Sequence, residues 1–363
     1  MNETEVFMAM PPHDRGQFAD HTTPLVRNCW YVAALSEEVT RELSSKTLLG
    51  TSVVMFRKLD GTPVIMRNRC PHRSFPLVKG KLDGDHLVCG YHGMRFDGTG
   101  RCVEMPAMPI IPTNVRLASY PIIERSPLVW VWMGEPDKAD ESLVPDTSWL
   151  GAPDWKSVGG YYHIKSNYVA MHENLLDQTH FAFLHPTTVG TPAYAKSKLN
   201  VRQEGDRVRI LRELRNSEPN TLYGVPMDLM GRKVDRYSDS SYVSPAMHIA
   251  FAKVVNPAPK DSERQEFRVT ITHLITPDSQ DSLHYYWFNT RDFKLEDQTA
   301  SDYLRDQSVI AYLEDVEALE WIADVVQNDQ EQSFELSFAP DKPGLLMRRN
   351  IHGLAMAEAG LLA

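Results

Sequence analysis

The chain has 363 residues, of which 42% are hydrophobic and 24% are charged, and 38 Lys and Arg against 48 Asp and Glu give a net charge of −10. The acidic balance argues against a nucleic-acid-binding protein, and the ordinary hydrophobic content argues against a disordered one. Apolar runs stay short of the roughly 20 residues that a membrane-spanning helix needs, so no membrane association is predicted.

The N-terminal part of the chain has the composition of a leader followed by short β-strands. Residues 1–24 contain acidic residues and prolines and lack the basic-then-apolar pattern of a signal peptide, which predicts a flexible leader on a cytoplasmic protein. Short β-branched or aromatic runs, separated by turn sequences such as LDG and DGTG, then extend to Trp132. They predict a small antiparallel β domain, residues 25–140, whose end is marked by the charged stretch 135–146.

The remainder, residues 141–363, mixes helical and strand-like patterns. Apolar residues at helical spacing predict a helix over 166–184, with Ser166 or Asn167 as its N-cap. Strand-like runs follow, namely RVRILREL, HIAFAKVV, FRVTITHLIT and SLHYYWFNTRDF, and residues 297–328 carry the longest helical pattern in the chain. The expected fold class is therefore α+β, with helices packed on a sheet.

Two cysteines and two histidines lie in two short segments of the β domain, at Cys70, His72, Cys89 and His92. Their spacing, C-x-H followed by C-x-x-H, is the Rieske spacing, in which two cysteines hold one iron of a [2Fe–2S] cluster and two histidines hold the other. A structural zinc site uses the same ligand types but usually pairs Cys with Cys and His with His. Two unrelated buried cysteines beside incidental histidines are the other alternative. We interpret the four residues as cluster ligands.

A second group of polar residues lies within the helix predicted over 166–184. Asn174, Asp177 and His180 are spaced three residues apart, so on a continuous helix they follow one stripe. His185 lies about 140° further round an ideal helix. The two histidines can therefore face one ion only if the helix is distorted or ends near Leu184.

Two histidines lack one carboxylate of the facial triad that non-haem Fe(II) oxygenases use. The long C-terminal helical pattern contains two adjacent acidic residues amid apolar ones. Asp315 shares a helix face with Tyr312, Leu319 and Ile322, whereas Glu314 falls on a more polar side. The expected third ligand of a mononuclear Fe(II) site is therefore Asp315, together with His180 and His185.

Both groups resemble those of the Rieske non-haem iron oxygenases, in their terminal oxygenase (α) components, and most closely the dicamba and vanillate O-demethylase type. The segments that carry this resemblance are RNCWYVAAL (27–35), CPHR (70–73), CGYHG (89–93), SVGGYYHIKSNY (157–168), NLLDQTHFAFLH (174–185), THLITP (272–277) and YLEDVEALE (312–320). The resemblance spans essentially the whole chain. It implies an N-terminal antiparallel β Rieske domain followed by a helix-grip (START-like) catalytic domain, with an antiparallel sheet and long C-terminal helices.

The resemblance also implies further residue roles. Asp177 would bridge, through a hydrogen bond, between an iron-ligating histidine and His92 of the partner subunit in a head-to-tail homotrimer. Asn174 would lie near the iron without being a strong ligand. His273 matches a pocket-lining position, and we expect His248 and the aromatic stretch 284–288 beside it, with most of that stretch in the sheet core.

The expected function is that of a terminal oxygenase component that uses O2. The sequence has neither a GxGxxG dinucleotide motif nor a further cysteine cluster, so a separate ferredoxin or NAD(P)H-dependent reductase would supply the electrons. The resemblance favours O-demethylation or hydroxylation of a small aromatic acid. Hydroxylation of an alicyclic or amine substrate is the alternative. A non-catalytic Rieske electron carrier and a zinc hydrolase are disfavoured, because the carrier needs no facial triad and the hydrolase needs no cluster.

Overall fold

The computed structural model describes residues 17–260, 262–328 and 336–360. The chain divides into two compact units, one formed by residues 27–144 with 276–279 and the other by the remaining described residues. The first sixteen residues of the predicted leader lie outside the described part. Of its last eight, Ala19 is buried and exchanges hydrogen bonds with Arg348, since its amide donates to the Arg348 carbonyl oxygen and its carbonyl accepts from the Arg348 side chain.

The unit of residues 27–144 consists of short antiparallel strands, because its β-branched and aromatic runs are interrupted every few residues by turns. The strands form three sheets, in the orders β1-β10-β9, β2-β3-β4 and β5-β6-β7-β8. Their bounds are β1 (Trp30–Leu35), β2 (Ser44–Leu48), β3 (Thr51–Arg57), β4 (Pro63–Arg67), β5 (Lys81–Asp83), β6 (His86–Val88), β7 (Arg95–Phe96), β8 (Cys102–Glu104), β9 (Ile122–Arg125) and β10 (Leu128–Trp132). The predicted antiparallel β architecture is confirmed.

The larger unit contains an antiparallel sheet that is seven strands wide in its described part, in the order β11-β17-β16-β15-β14-β13-β12. The strands are β11 (Lys156–Ile164), β12 (Asn200–Glu204), β13 (Arg207–Ser217), β14 (Val234–Ser244), β15 (Met247–Val255), β16 (Glu266–Pro277) and β17 (Leu283–Arg291). The four strand-like runs of the sequence all lie within these strands or overlap their ends. The fold class is therefore α+β, as predicted.

Helices in the described part cover one face of this sheet. They are α1 (Tyr168–Leu176), α2 (Phe181–Leu184), α3 (Pro192–Lys196), α4 (Thr221–Gly224), α5 (Gln298–Asn328) and α6 (Lys342–Glu358). The long helix predicted over 297–328 is confirmed by α5. No helix in the described part combines the length and apolar composition needed to cross a bilayer.

The prediction of one continuous helix over 166–184 is wrong. Asn167 caps α1 as expected, since its side chain accepts a hydrogen bond from the amide of Val169. The helix stops at Asp177, whose Oδ1 accepts hydrogen bonds from the amide of Thr179 at 2.7 Å and from its hydroxyl at 2.6 Å. Asp side chains compete with helix formation in this way, because they offer the backbone an alternative partner. The chain resumes helical structure only at α2, so Asn174, Asp177 and His180 do not follow one helix stripe.

Candidate metal centres and substrate cavity

The predicted cluster ligands lie on two loops of the 27–144 unit, one after β4 and one after β6. Cys70 and Cys89 are each only 2% exposed, whereas His72 and His92 lie at the surface, with their Nδ1 atoms 3.2 Å apart. Gly93 has a φ of +74°, which lets the second loop turn sharply after His92. The structure thus brings the four side chains together as a buried thiol pair and an exposed imidazole pair.

This arrangement fits a two-iron cluster better than a single ion. Around one tetrahedral zinc all four ligand atoms would be mutual neighbours, since zinc–ligand bonds are about 2.0–2.3 Å long. Although all four residues are described, no three of their ligand atoms lie within 4.8 Å of one another. Burial, together with the neighbouring Cys89, raises the pKa of the Cys70 thiol to about 11. The Cys70 thiol therefore needs an electrophilic partner, such as a metal ion, to become a thiolate.

The second group of ligands converges in the larger unit. One nitrogen from each of His180 and His185 and a carboxylate oxygen of Asp315 lie within 4.8 Å of one another. His185 Nε2 lies 3.0 Å from Asp315 Oδ1, and His180 Nε2 lies 3.5 Å from the same oxygen. The break after α1 makes this possible, because His180 precedes α2 and His185 follows it. Two histidines and one carboxylate on one side of an ion form the facial arrangement of non-haem Fe(II) sites.

The electrostatics of this group suit a cation. Burial disfavours the charged form of Asp315, but the neighbouring imidazoles of His180 and His185 hold the pKa of its carboxyl well below the usual range. Burial likewise opposes a charge on His180, yet Asp177 and Asp315 raise its pKa to about 9. Protons on the imidazoles thus balance the carboxylate, and a bound divalent ion would replace them.

The two other residues predicted near the iron take different positions. Asn174 donates from Nδ2 to Asp315 Oδ1 at 3.0 Å, so it fixes the orientation of the carboxylate. Asp177 Oδ2 lies 3.9 Å from His180 Nδ1, and its side chain is 37% exposed. Asp177 and His180 line a surface groove of about 700 Å³, whereas His185 and Asp315 line an inner cavity. The ligand group therefore separates the groove from the cavity.

Glu314 lies on a more exposed side of α5 than Asp315, as expected, with 29% of its side chain exposed against 9%. Its Oε2 nevertheless accepts a hydrogen bond from His185 Nδ1 at 2.7 Å, a contact that was not predicted. Asp315 and Leu319 are buried, whereas Ile322, predicted to share their face, is 55% exposed at the part of α5 that lines the groove. A charged acceptor on the second nitrogen of a ligating histidine orients the ring and raises its basicity. Adjacency to Asp315 was the only sequence signal for Glu314.

We expect the substitution Glu314→Ala to weaken iron binding at the second group by about 10- to 100-fold, because His185 loses the carboxylate that orients it. The measurement is a titration of the metal-depleted protein with Fe(II) under anaerobic conditions. Glu317→Ala, an exposed carboxylate less than one turn further along α5, is the matched control and should leave the affinity unchanged. Equal affinities for both variants would show that Glu314 does not support His185.

The inner cavity has a volume of about 150 Å³ and lies between the helix-facing side of the sheet and the helices. Apolar side chains dominate its lining, among them Leu175, Phe181, Leu222, Ala250 and Ile271. Such a largely closed, apolar space beside a candidate metal site is typical of a small-molecule pocket.

His248 and His273 form a polar part of the cavity wall. They are paired across β15 and β16, and both are buried. His248 Nε2 lies 2.8 Å from the Ser240 hydroxyl, and His273 Nδ1 lies 2.5 Å from the Tyr285 hydroxyl. Burial lowers the pKa of His273 to about 3 and that of His248 well below its usual value. Both rings are therefore neutral hydrogen-bonding groups at neutral pH.

Residues 284–287 are buried in the sheet core, as expected for most of the stretch 284–288. None of these residues is among those that line the cavity in the described part of the chain. Tyr285 instead holds His273, and Trp287 is buried with its ring centroid 4.9 Å from that of Tyr312. The position of β17 between β11 and β16 places these side chains in the core behind the cavity wall.

Comparison with known proteins assigns both parts of the chain to families. Residues 29–121 match the Rieske [2Fe–2S] domain, and residues 164–357 match the vanillate O-demethylase oxygenase C-terminal domain. A curated relative, the iron-sulfur subunit of the toluene-4-sulfonate monooxygenase system of Comamonas testosteroni, is 36% identical over 287 residues. That match covers 76% of this chain and 82% of the relative.

Solved structures of oxygenases are similar to this chain over nearly its whole length. Dicamba monooxygenase bound to 3,6-dichlorosalicylic acid superposes with a TM-score of 0.84 at 30% identity, over 93% of this chain and 99% of that one. A crystal structure of dicamba monooxygenase with non-haem iron and dicamba superposes with a TM-score of 0.74 at 28% identity, over 93% and 100%. The similarity thus extends over both units and both candidate metal groups.

Proposed function

The chain belongs to the Rieske non-haem iron oxygenases as an oxygenase component, and we propose that it O-demethylates or hydroxylates a small aromatic acid. The observation that carries this proposal is the convergence of His180 with His185 and Asp315, the latter two of which line a small apolar cavity. Relatives whose names include toluene-4-sulfonate, dicamba and vanillate act on aromatic acids, which fit a cavity of this character.

The cofactors are a Rieske [2Fe–2S] cluster and a mononuclear Fe(II). We assign the cluster to Cys70, His72, Cys89 and His92 in a domain of residues 25–140, and the iron to His180, His185 and Asp315 in a domain of residues 141–363. When bound, the cluster would supply single electrons and the iron would supply a site for O2 activation beside the substrate.

The side chains around the iron site have separate tasks in this proposal. Asn174 holds the Asp315 carboxylate in one orientation, and Glu314 holds the His185 ring with its Nε2 toward the site. Apolar side chains exclude water from the cavity, which strengthens every polar interaction inside it. His248 and His273 offer neutral hydrogen bonds that orient the substrate without adding charge.

We also propose that the oxygenase acts as a homotrimer. Asp177 would accept a hydrogen bond from His92 of the partner subunit, and electrons would pass from the cluster to the iron through this contact. Both side chains are accessible at the surface of their own unit. The groove around Asp177 is lined by exposed apolar side chains, including Phe183 at 84% and Ile322 at 55% exposure. Exposed apolar surface of this kind is typical of protein interfaces, and a second copy of the chain is the occupant that completes the path.

A separate ferredoxin or NAD(P)H-dependent reductase supplies the electrons, as in the multicomponent systems to which the relatives belong. Because NAD(P)H is an intracellular pool, we propose a cytoplasmic location.

The experiment is single turnover by anaerobically reduced, iron-loaded protein mixed with O2 and a panel of methoxylated and unsubstituted aromatic acids. We expect about three irons per chain and a demethylated or hydroxylated product in the mass spectrum. Two irons without product would indicate an electron carrier, and zinc would indicate a hydrolase. Three irons with product only from alicyclic or amine compounds would overturn the aromatic assignment and retain the oxygenase.

A further inference from the structure

Two arginines lie on the helix-facing side of the sheet, where neighbouring side chains are mostly apolar. Arg212 on β13 is 5% exposed and Arg236 on β14 is 9% exposed. They line the same cavity as the iron ligands His185 and Asp315. A guanidinium stays protonated at every physiological pH, so two positive charges are held at this cavity away from water. Such burial is costly unless an opposite charge compensates it.

Arg212 has only neutral hydrogen-bond partners. Its Nη1 donates to the Tyr194 carbonyl oxygen at 2.8 Å and to the Ser197 hydroxyl at 2.9 Å, and its guanidinium lies 4.5 Å from the centre of the Tyr194 ring. Its buried Nε has no hydrogen-bond partner in the described part of the chain. Asp177 is the acidic residue that acts on it electrostatically, but that carboxylate accepts from Thr179 instead. Burial dominates and lowers the pKa of Arg212.

Arg236, on the neighbouring strand β14, is likewise a buried arginine with neutral hydrogen-bond partners. Its Nε lies 3.2 Å from the Ser217 hydroxyl and its Nη2 lies 3.0 Å from the Thr191 hydroxyl, so these contacts are neutral as well. The guanidinium lies 5.8 Å from the centre of the Tyr194 ring, which therefore contacts both arginines. Burial lowers the pKa of Arg236 too. The hydrogen bonds that the two guanidinium groups form within the described part of the chain all go to neutral oxygens.

We propose that Arg212 and Arg236, with the Tyr194 ring close to both, form an anion site that binds the carboxylate or sulfonate of the substrate. The substrate anion would supply the negative charge that compensates the two buried guanidinium groups. The inference rests on the proposed function and deepens it, because it specifies which residues select an acid over a neutral aromatic compound.

The other polar groups of the cavity do not provide this selection. His248 and His273 are neutral, and Lys253 lies 3.5 Å from the carboxylate of Glu266 and has 43% of its side chain exposed. Arginine also binds carboxylate and sulfonate oxygens through two parallel hydrogen bonds, which a lysine cannot do. With the acid held at the β13 and β14 wall, the aromatic ring of the substrate faces the apolar part of the cavity.

The test measures equilibrium binding to the anaerobic holoenzyme by titration calorimetry, with benzoate, benzenesulfonate and the neutral benzamide. We expect the wild type to bind both anions more tightly than benzamide. Arg212→Gln and Arg236→Gln should each weaken anion binding by about 10- to 100-fold and leave benzamide binding nearly unchanged. Arg212→Lys should retain part of the preference, since it keeps the charge and loses the planar fork.

Arg202→Gln is the matched control, because it removes one positive charge from the exposed edge strand β12 of the same sheet. It should bind all three ligands like the wild type. An unchanged far-ultraviolet circular dichroism spectrum and an unchanged mononuclear iron content in each variant show that the fold of the larger unit survives, because the arginines and the proposed iron ligands both belong to it. Anion preference that persists in both Gln variants, equal losses for benzamide and the anions, or no preference in the wild type would each overturn the proposal.

The two proposals fail in different ways. If the arginines select anions in the titration but no aromatic acid yields product, the anion site stands and the proposed reaction falls. If product forms but binding does not depend on the arginines, the oxygenase assignment stands and the anion site falls.

Discussion

Replacement of His180 by alanine should abolish product formation while leaving the visible absorption of the Rieske cluster unchanged. His180 and the proposed cluster ligands belong to different units, so its loss should remove one proposed ligand of the mononuclear iron only. Iron content should fall from about three to about two per chain. Turnover should fall by more than about 100-fold, because mutation of a residue that merely hydrogen-bonds to a metal ligand already lowers metal affinity or activity by about 10- to 100-fold. Metal analysis, visible spectroscopy and product detection on one sample provide the measurement.

His352→Ala is a suitable control for this variant. His352 lies on α6, outside both ligand groups, and should retain full iron content and activity. Loss of the cluster absorption in His180→Ala would assign His180 to the cluster, and an unchanged iron content would show that it binds no metal.

The substitution Asp177→Asn should leave both metals bound and slow electron transfer from cluster to iron by about 100-fold or more. The asparagine keeps an oxygen that can accept the two hydrogen bonds from Thr179, so the break between α1 and α2 should persist. It loses the negative charge that helps to raise the pKa of His180, and with it the charged acceptor proposed to link the two subunits. Stopped-flow reoxidation of the reduced cluster by O2, with substrate present, measures the rate.

A control for this variant is Asp306→Asn, which removes one charge from a side chain that is 71% exposed near the start of α5. Its reoxidation rate should match that of the wild type. Product from Asp177→Asn at the normal single-turnover rate would exclude Asp177 from the electron path.

The elements predicted well from the sequence were those with a clear apolar pattern. Strands β13, β15, β16 and β17 alternate or concentrate β-branched and aromatic residues, and α5 has a long helical period. Strand β14, VDRYSDSSYVS, was missed because its buried positions include Arg236 and Ser240 rather than apolar residues. These polar side chains line the cavity. Because they occupy the buried positions of β14, the strand lacks the apolar alternation by which a strand is predicted.

The candidate iron ligands could be named from residue type and spacing, since few combinations of two histidines and one carboxylate suit one ion. The geometry that brings them together could not. The interruption after α1 depends on one side chain, Asp177, that captures the hydroxyl and amide of Thr179. The contact between Glu314 and His185 depends in turn on that interruption. Helical periodicity carries no information about either, because both arise from side-chain hydrogen bonds rather than from the apolar pattern.

The ligands proposed for the mononuclear site come from chain segments that are far apart, since His185 and Asp315 are separated by 130 residues. Iron bound there acts as a crosslink that closes a long loop of chain, and its binding free energy becomes part of the folding free energy of the larger unit. A substitution in the buried face of α5, at Leu304 or Leu319, would therefore first be noticed as lost iron. In this oxygenase, metal content reports on the packing of a helix as well as on the chemistry of its ligands.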